Sequence, residues 1–312
     1  MRSGPGASLP RIPDLDSAAD IAWNAVLAAA GEADRLAQAG QPAVFALASD
    51  GVLVRVAQGD PAAVLTWRPG TGWESLLPPT DARHVIFDLY LPLCGATNTR
   101  PMTFGHLGQS LDGFIATHEG DSQFVTGPEN IVHLHRLRAL CDADIVGAGT
   151  VAADDPQLTT RFVTGPSPLR VVFDPARRLD PHYRVFNDDS ASTWYVCATS
   201  LVQPGETHVG RATLVPIADT KGDNDVIELQ KVLWERGCRR ILVEGGGVTV
   251  SKFLKANLLD RLQVAVAPFI IGDGRPAIRL PGPALLSDCE RPRHRVFRMG
   301  DDVLFELVIR ES

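Results

Sequence analysis

The stretch Leu242-Val243-Glu244-Gly245-Gly246-Gly247-Val248-Thr249 decides how this chain is read. Upstream, Arg240-Ile241-Leu242-Val243 is a short apolar run with the β-branched content of a buried strand. Downstream, Val248 to Leu259 carries Val250, Phe253, Leu254 and Leu258 at the spacing of a helix face. A strand, a glycine turn and a helix let bare backbone N–H groups meet a phosphate at the helix N-terminus. Glu244 stands at the strand's carboxyl end, where open α/β sheets hold ligands. The pattern is neither Gly-x-Gly-x-x-Gly nor a Lys-bearing P-loop. Taken alone, three glycines are equally a tight strand-to-helix turn with no ligand.

Working outward, the same alternation recurs. Met102 to Leu111 reads as a strand, and Asp112-Gly113 as a tight turn that returns Phe114 to Thr117 as its partner strand. Gly127-Pro128-Glu129 opens a helix capped by Thr126, with Ile131, Leu134, Leu137 and Leu140 on its inner face. Ala143 to Val146 is a short buried strand, followed by the small-residue turn Gly147-Ala148-Gly149-Thr150. Leu169 to Phe173, Thr193 to Ala198 and Thr213 to Ile217 are further strands, and Asp225 to Arg236 is an amphipathic helix stopped by Gly237. Arg261 to Ile271 is a long strand, and Arg295–Met299 with Val303–Ile309 closes the chain as a hairpin. Strands alternating with helices imply an α/β fold with a mostly parallel sheet flanked by helices. The terminal hairpin makes that sheet mixed.

Residues 17–99 read as a small N-terminal α/β extension of unstated role, after a flexible tail over residues 1–16. Ser17 to Gln38 is an Ala- and Leu-rich helix, and Ala43–Ala48 with Val52–Val56 is a hairpin about Asp50-Gly51. Pro69 to Asp81 reads as turn, His84 to Leu91 as a strand, and Cys94 to Arg100 as a linker into residues 100–312.

The bulk properties bound the function. With 312 residues, 45% hydrophobic and 21% charged, the chain has the composition of a soluble enzyme. A net charge of −7 disfavours nucleic acid, and no apolar run reaches the length of a membrane span. The N-terminus lacks the apolar segment of a secretory signal. Cys94, Cys141, Cys197, Cys238 and Cys289 form no C-x-x-C pair and read as reduced, buried thiols of a cytoplasmic protein. The eight histidines show no metal-ligand spacing: His133 and His135 stand two apart on one helix, so no metal is expected.

Five segments in order then carry a resemblance. They are Gly-Gln-Ser-Leu-Asp-Gly (108–113), Asp-Ser-Gln-Phe-Val-Thr-Gly (121–127), His-Arg-Leu-Arg-Ala (135–139), Val-Gly-Ala-Gly-Thr-Val-Ala-Ala-Asp-Asp-Pro-Gln-Leu-Thr-Thr-Arg (146–161) and Val-Glu-Gly-Gly-Gly (243–247). Over about two-thirds of its length the chain resembles the reductase domain of the bifunctional riboflavin-biosynthesis deaminase/reductase. The resemblance implies a dihydrofolate-reductase-like fold, NADPH as hydride donor, a homodimer, and a phosphoribosylamino-pyrimidine whose ribose becomes ribityl. It implies substrate contacts at Ser122, Arg138, Leu158, Arg161 and Glu244. It implies cofactor contacts at Gln109, Phe124, Thr150, Asp154, Gly245, Gly246, Gly247, Val248, Thr249, Val250 and Ser251. Glu244, Asp154 and His106 are the catalytic candidates. Hydride transfer to the ring-opened imine needs alignment more than acid–base power, so most of these are binding groups. Arg138 and Arg161 offer planar forks suited to a sugar phosphate. Away from the resemblance, Arg138 reads as a surface ion-pair or helix-dipole partner near a helix end; Arg177 and Arg178 could meet a 2′-phosphate, though such residues are more commonly solvated charges.

Two departures matter. The H-x-E and P-C-x-x-C zinc signatures of the deaminase half do not occur. Relatives commonly carry lysine where this chain has His106, which trades a permanent charge for a titrating one. That leaves open a related pterin or pyrimidine substrate, or a cofactor-binding relative without activity.

Overall fold

The structure, a computed structural model, describes residues 17–219 and 224–310; the expected tail over residues 1–16 lies outside them. The N-terminal unit holds helix α1 (Ser17–Ala39), strands β1 (Ala43–Leu47), β2 (Leu53–Val56), β3 (Leu65–Arg68) and β4 (Gly72–Ser75), and helix α2 (His84–Tyr90). Its strands form an antiparallel sheet in the order β2-β1-β3-β4. The β1–β2 hairpin turns about Asp50-Gly51 as its sequence requires, with Gly51 at φ 86°. Two expectations fail in this unit. Pro69 to Asp81 is not all turn: Pro69-Gly70-Thr71 reverses β3 into β4, with Trp67 opposite Trp73. His84 to Leu91 is a helix because Ile86, Phe87, Leu89 and Tyr90 are buried at i, i+1, i+3 and i+4.

The main unit begins with β5 (Met102–Ser110), β6 (Phe114–Thr117), α3 (Pro128–Leu140), β7 (Ala143–Gly147), α4 (Ala148–Asp154) and β8 (Leu169–Phe173). It continues through α5 (Arg184–Asn187), β9 (Thr193–Ala198), β10 (His208–Val209), β11 (Ala212–Ile217), α6 (Asn224–Glu235), β12 (Arg240–Val243) and α7 (Gly247–Lys255). It ends with β13 (Arg261–Ala267), β14 (Gly274–Pro276), β15 (Arg293–Met299) and β16 (Asp302–Val308). The large sheet runs β10-β11-β9-β8-β7-β12-β5-β13-β16-β15. The strands from β11 to β13 are all parallel, and antiparallel strands stand at both edges. This is the mixed, mostly parallel, helix-flanked sheet expected. Phe114 to Thr117 pairs with β14 instead of returning on β5, because Asp112 accepts the N–H groups of Ile271 and Gly272 and holds the segment after β13 beside it.

The topology makes a site. The chain moves outward from β7 to β11, returns through α6 to β12, and crosses by α7 to β13 on the far side of β5. The carboxyl ends of β7, β12 and β5 therefore lie together where the winding reverses, the position at which such sheets bind ligands.

A parallel sheet needs both faces covered. Leu229 and Leu233 of α6 and Val250 and Phe253 of α7 cover one face. On the other, Phe104, Leu137, Leu242, Ala265 and Leu304 join Trp23, Val26, Phe87 and Tyr90 of the N-terminal unit in one continuous apolar cluster. Alanines 22, 25, 29 and 33 let α1 approach closely, and Arg240 donates to the Ala30 carbonyl at 3.1 Å. Among the described residues no helix is long and apolar enough to cross a membrane.

Residues 100–312 alone should therefore lose their cover. Such a chain is expected to aggregate or to melt without a cooperative transition, read by light scattering and calorimetry. A sharp transition near the full chain's Tm would show that the unit is dispensable for folding.

Candidate active site

Helix α3 presents polar groups inward. Asn130, His133, His135 and Arg138 are buried; of the apolar face expected, Leu137 and Leu140 are buried, whereas Ile131 and Leu134 are only half-buried. Gly127, not Thr126, is the helix N-cap; its N–H donates to Asp302 at 2.7 Å, and Thr126 accepts from Asn130 at 2.9 Å. These polar residues do not share one face: His133 turns to Gln263 of β13, His135 to the Arg161 backbone, and Arg138 to the ends of β7 and β12.

Arg138 is the centre of the site. Its Nη2 donates to Glu244 Oε1 at 2.5 Å, and its Nε reaches Asp144 Oδ2 and Glu244 Oε1, each at 3.2 Å. Asp144 lies on β7 and Glu244 just past β12, so one guanidinium ties a helix to two neighbouring strands. Arg138 is 7% exposed, Glu244 3% and Asp144 0%. Burial opposes the charge on Arg138, but the two carboxylates more than offset it and hold the guanidinium above its ordinary value. Burial, reinforced by the neighbouring Glu244, pushes the Asp144 carboxyl well above the carboxylate range.

This placement makes Arg138 a buried ion-pair partner at the strand ends. Its Nε and Nη2 are engaged with carboxylates, and among the described residues no contact to them is made by Nη1, the remaining edge of the fork. Arg161 remains exposed; its Nη1 donates to Thr159 Oγ1 at 2.6 Å, and its guanidinium lies 5.8 Å from the Phe162 ring centroid. Its backbone N–H donates to His135 Nδ1 at 3.0 Å, which fixes that neutral imidazole. Leu158 has φ 55° and a side chain only 2% exposed, packed among Val146, Val172 and Phe186. A substrate contact there falls to its backbone.

His106 lies under the site. Its Nε2 meets Asn130 Oδ1 at 3.2 Å, and burial drops its pKa to about 4, against the pull of Glu244. It is neutral at physiological pH and brings no cation to replace a lysine. His133 continues the chain of polar groups, with Tyr90 OH on Nδ1 at 2.6 Å and Gln263 Oε1 on Nε2 at 2.9 Å.

On the cofactor side, Ser122 Oγ donates to Asp154 Oδ1 at 2.9 Å, joining the 121–127 loop to the end of α4. Thr150 Oγ1 accepts the Gly246 N–H at 2.6 Å. Gly245 has φ +91°, and a Cβ there would lie 2.8 Å from Thr150 Oγ1. At Gly247 a Cβ would strike the Ala277 carbonyl. The turn is therefore a bare-backbone cradle, and the N–H groups of Gly247 and Val248 at the start of α7 have no intrahelical acceptor. That fits a dinucleotide phosphate. Phe124 and Val248 are exposed at this edge and Gln109 is half-buried. Thr249, Val250 and Ser251 are buried: Val250 packs in the core, and Ser251 Oγ takes the Arg279 N–H at 2.8 Å. Their side chains belong to the fold, and Lys252 pairs with Asp225 at 2.7 Å. Of the expected groups, the structure brings together Arg138 with Glu244, Ser122 with Asp154, and Thr150 with Gly246. Asp144, His133, His135, Tyr90 and Gln263 were not anticipated. Asp144 was hidden inside an apolar strand run, and only its charge there signalled it.

The family model described as RibD C-terminal domain matches residues 104–298. The chain belongs to the RibD C-terminal domain family. It is 33% identical over 219 residues to a protein of Methanothermobacter thermautotrophicus named 2,5-diamino-6-ribosylamino-4(3H)-pyrimidinone 5′-phosphate reductase, covering 68% of the chain and 99% of that protein. It is 32% identical over 217 residues to riboflavin biosynthesis protein RibD of Escherichia coli, covering 65% of the chain and 58% of that protein. A crystal structure of a Thermotoga maritima diaminohydroxyphosphoribosylaminopyrimidine deaminase/5-amino-6-(5-phosphoribosylamino)uracil reductase superposes with a TM-score of 0.56 at 27% identity, over 72% of the chain and 60% of that structure. The chain thus spans nearly all of the archaeal relative and about 60% of the two-activity proteins.

The buried imidazoles make stability pH-dependent. Burial lowers His106 to about 4 and His135 to about 3, and holds His133 well below 6.5. Folded-state values below the unfolded ones mean stability is present above about 6.5 and lost as pH falls, because only the unfolded chain takes up these protons. Asp144 acts in the opposite sense, but three imidazoles outweigh one carboxyl. Tm should fall steadily from pH 6.5 towards pH 4, and His133→Gln should flatten the slope; a Tm flat over that range would contradict neutral burial.

Proposed function

We propose that the chain is an NADPH-dependent reductase of 2,5-diamino-6-ribosylamino-4(3H)-pyrimidinone 5′-phosphate that converts the ribosyl group to ribityl, a step of riboflavin biosynthesis. The observation that carries this reading is the juxtaposition at one sheet edge of a bare-backbone glycine cradle and the Arg138-anchored Glu244. Near-complete coverage of the archaeal relative favours the diaminated pyrimidine over its deaminated counterpart.

In this reading the glycine turn and the first N–H groups of α7 hold the cofactor's diphosphate. Thr150 braces the turn, and the Ser122–Asp154 pair sets the loop carrying Phe124 against it. The bound nicotinamide supplies hydride. Glu244, held by Arg138, orients the pyrimidine so that C1′ of the ring-opened imine faces the donor. Arg161, unencumbered at the rim, receives the sugar phosphate. Arg177 is committed to Glu206, whereas Arg178 has a side chain 70% exposed and stands 3.6 Å from Asp174. Arg178 is therefore the guanidinium for the 2′-phosphate that distinguishes NADPH from NADH. The reading includes a homodimer, for which Leu111, Phe269 and Ile270 offer exposed apolar surface.

Burial of Arg138 and neutrality of His106 leave Arg161 as the one cation among the expected phosphate contacts, and this favours a second reading, reduction of a related unphosphorylated heterocycle. Cofactor oxidation with phosphorylated and dephosphorylated pyrimidines separates the two. The main reading predicts turnover of the phosphorylated compound, and a rise of about tenfold or more in its KM on Arg161→Ala with kcat little changed, as loss of a charged hydrogen bond costs about 1.5–3 kcal/mol. Equal KM for both compounds, unmoved by Arg161→Ala, would favour the second.

A further inference from the structure

Two acidic side chains are buried against a single guanidinium, and the charges do not balance. Asp144 and Glu244 are at most 3% exposed, and among the described residues Arg138 is the only cation hydrogen-bonded to either. With both carboxyls ionised the cluster would carry a buried net negative charge, which a protein interior does not tolerate when a proton can remove it. Two further observations place that proton. Asp144 Oδ1 and Glu244 Oε2 are both buried without a hydrogen-bond partner, one orphan oxygen on each of two carboxyls from adjacent strands. Asp144 and Glu244 lie within hydrogen-bonding reach of each other, and a proton shared by such a pair satisfies oxygens that would otherwise be left without a donor.

We propose that Asp144 is a positioning residue that keeps one proton on the Asp144–Glu244 pair, and that Glu244 delivers it to the imine nitrogen as hydride reaches C1′. The step rests on the reduction proposed above. The new C1′–H bond takes the electron pair of the hydride, and the dihydronicotinamide is oxidised. The π pair of the C1′–N bond becomes an N–H bond with the proton from Glu244. Two carboxylates are left facing Arg138, and a solvent proton restores the pair. Asp144 thus supplies what an isolated carboxyl lacks at neutral pH, a proton still to give.

The surroundings support retention of the proton. Facing the pair are Arg138 and the Cys141 thiol at the end of α3, neutral His106 on β5, Arg161 from the loop after α4, and Arg240 on β12. Burial pushes the Cys141 thiol well up, so it stays protonated and adds no charge. His135 beside Arg138 and Arg161 is neutral as well, its pKa lowered to about 3 by burial and the two guanidiniums.

The test has two arms. Infrared spectroscopy of the free protein at neutral pH should show a protonated carboxyl band that shifts in heavy water and disappears in Asp144→Asn. This arm needs no substrate. In turnover, kcat should fall on the alkaline side as the pair loses its proton. Asp144→Asn should lower kcat at least tenfold, with KM for the cofactor unchanged, and move that limb down by one pH unit or more. Asp144→Leu, without any carboxyl, should behave alike. A merely structural Asp144 would lower kcat without moving the limb. Absence of the band, or an unmoved limb in both variants, overturns the proposal. A band without turnover of any pyrimidine by the wild type counts against the reduction, and leaves the shared proton standing.

Discussion

The Arg138 guanidinium, held between Asp144 and Glu244, is the interaction on which the site depends. It joins α3 to the ends of β7 and β12 and fixes the carboxylate that the winding of the sheet places at the ligand edge. Removing one partner of such a cluster leaves an uncompensated buried charge, which typically costs about 3–5 kcal/mol. The cluster is thus a constraint on folding as much as a piece of chemistry. Its presence under the cleft explains why the face of α3 carries histidines and an arginine where packing alone would ask for leucine.

That polar layer is kept dry by the N-terminal unit. Tyr90 closes the chain of groups through His133 to Gln263, and Trp23 packs edge-on against Tyr90 at 5.4 Å while donating to the Thr164 carbonyl at 2.8 Å. Among the described residues the unit contributes no group to the glycine turn. It covers a sheet face that a parallel core cannot leave to water, and so holds the polar layer in the low dielectric that keeps its imidazoles neutral. Forming the strand ends where the candidate site lies and covering the sheet face are separate tasks assigned to separate stretches of chain.

The parallel core was legible because its signals are local and repeated. Apolar β-branched runs end in glycine turns, and Gly237 and Gly245 take the positive φ their positions demand. The hairpin of β3 and β4 escaped notice because Pro69-Gly70-Thr71-Gly72 reads as turn and the tryptophans on either side are isolated in sequence. Helix α2 escaped because Val85, Ile86 and Phe87 carry strand propensity, and only tertiary burial selects the helical period. The glycine turn and the place of Glu244 at the end of β12 were legible from position alone. The carboxylate partners of Arg138 were not: Asp144 belongs to another strand, and its side chain points inward only once the register is set.

The central claim is a hydride delivered to the sugar carbon of a phosphoribosylamino-pyrimidine, and deuterium tests it most directly. Turnover with NADPH deuterated at the transferring position, followed by mass spectrometry and NMR of the product, reports where the hydride goes. The account predicts one deuterium at C1′ of a ribityl chain and none in the heterocycle. Deuterium in the ring, or a cofactor left unconsumed by every phosphoribosylamino-pyrimidine, would contradict it.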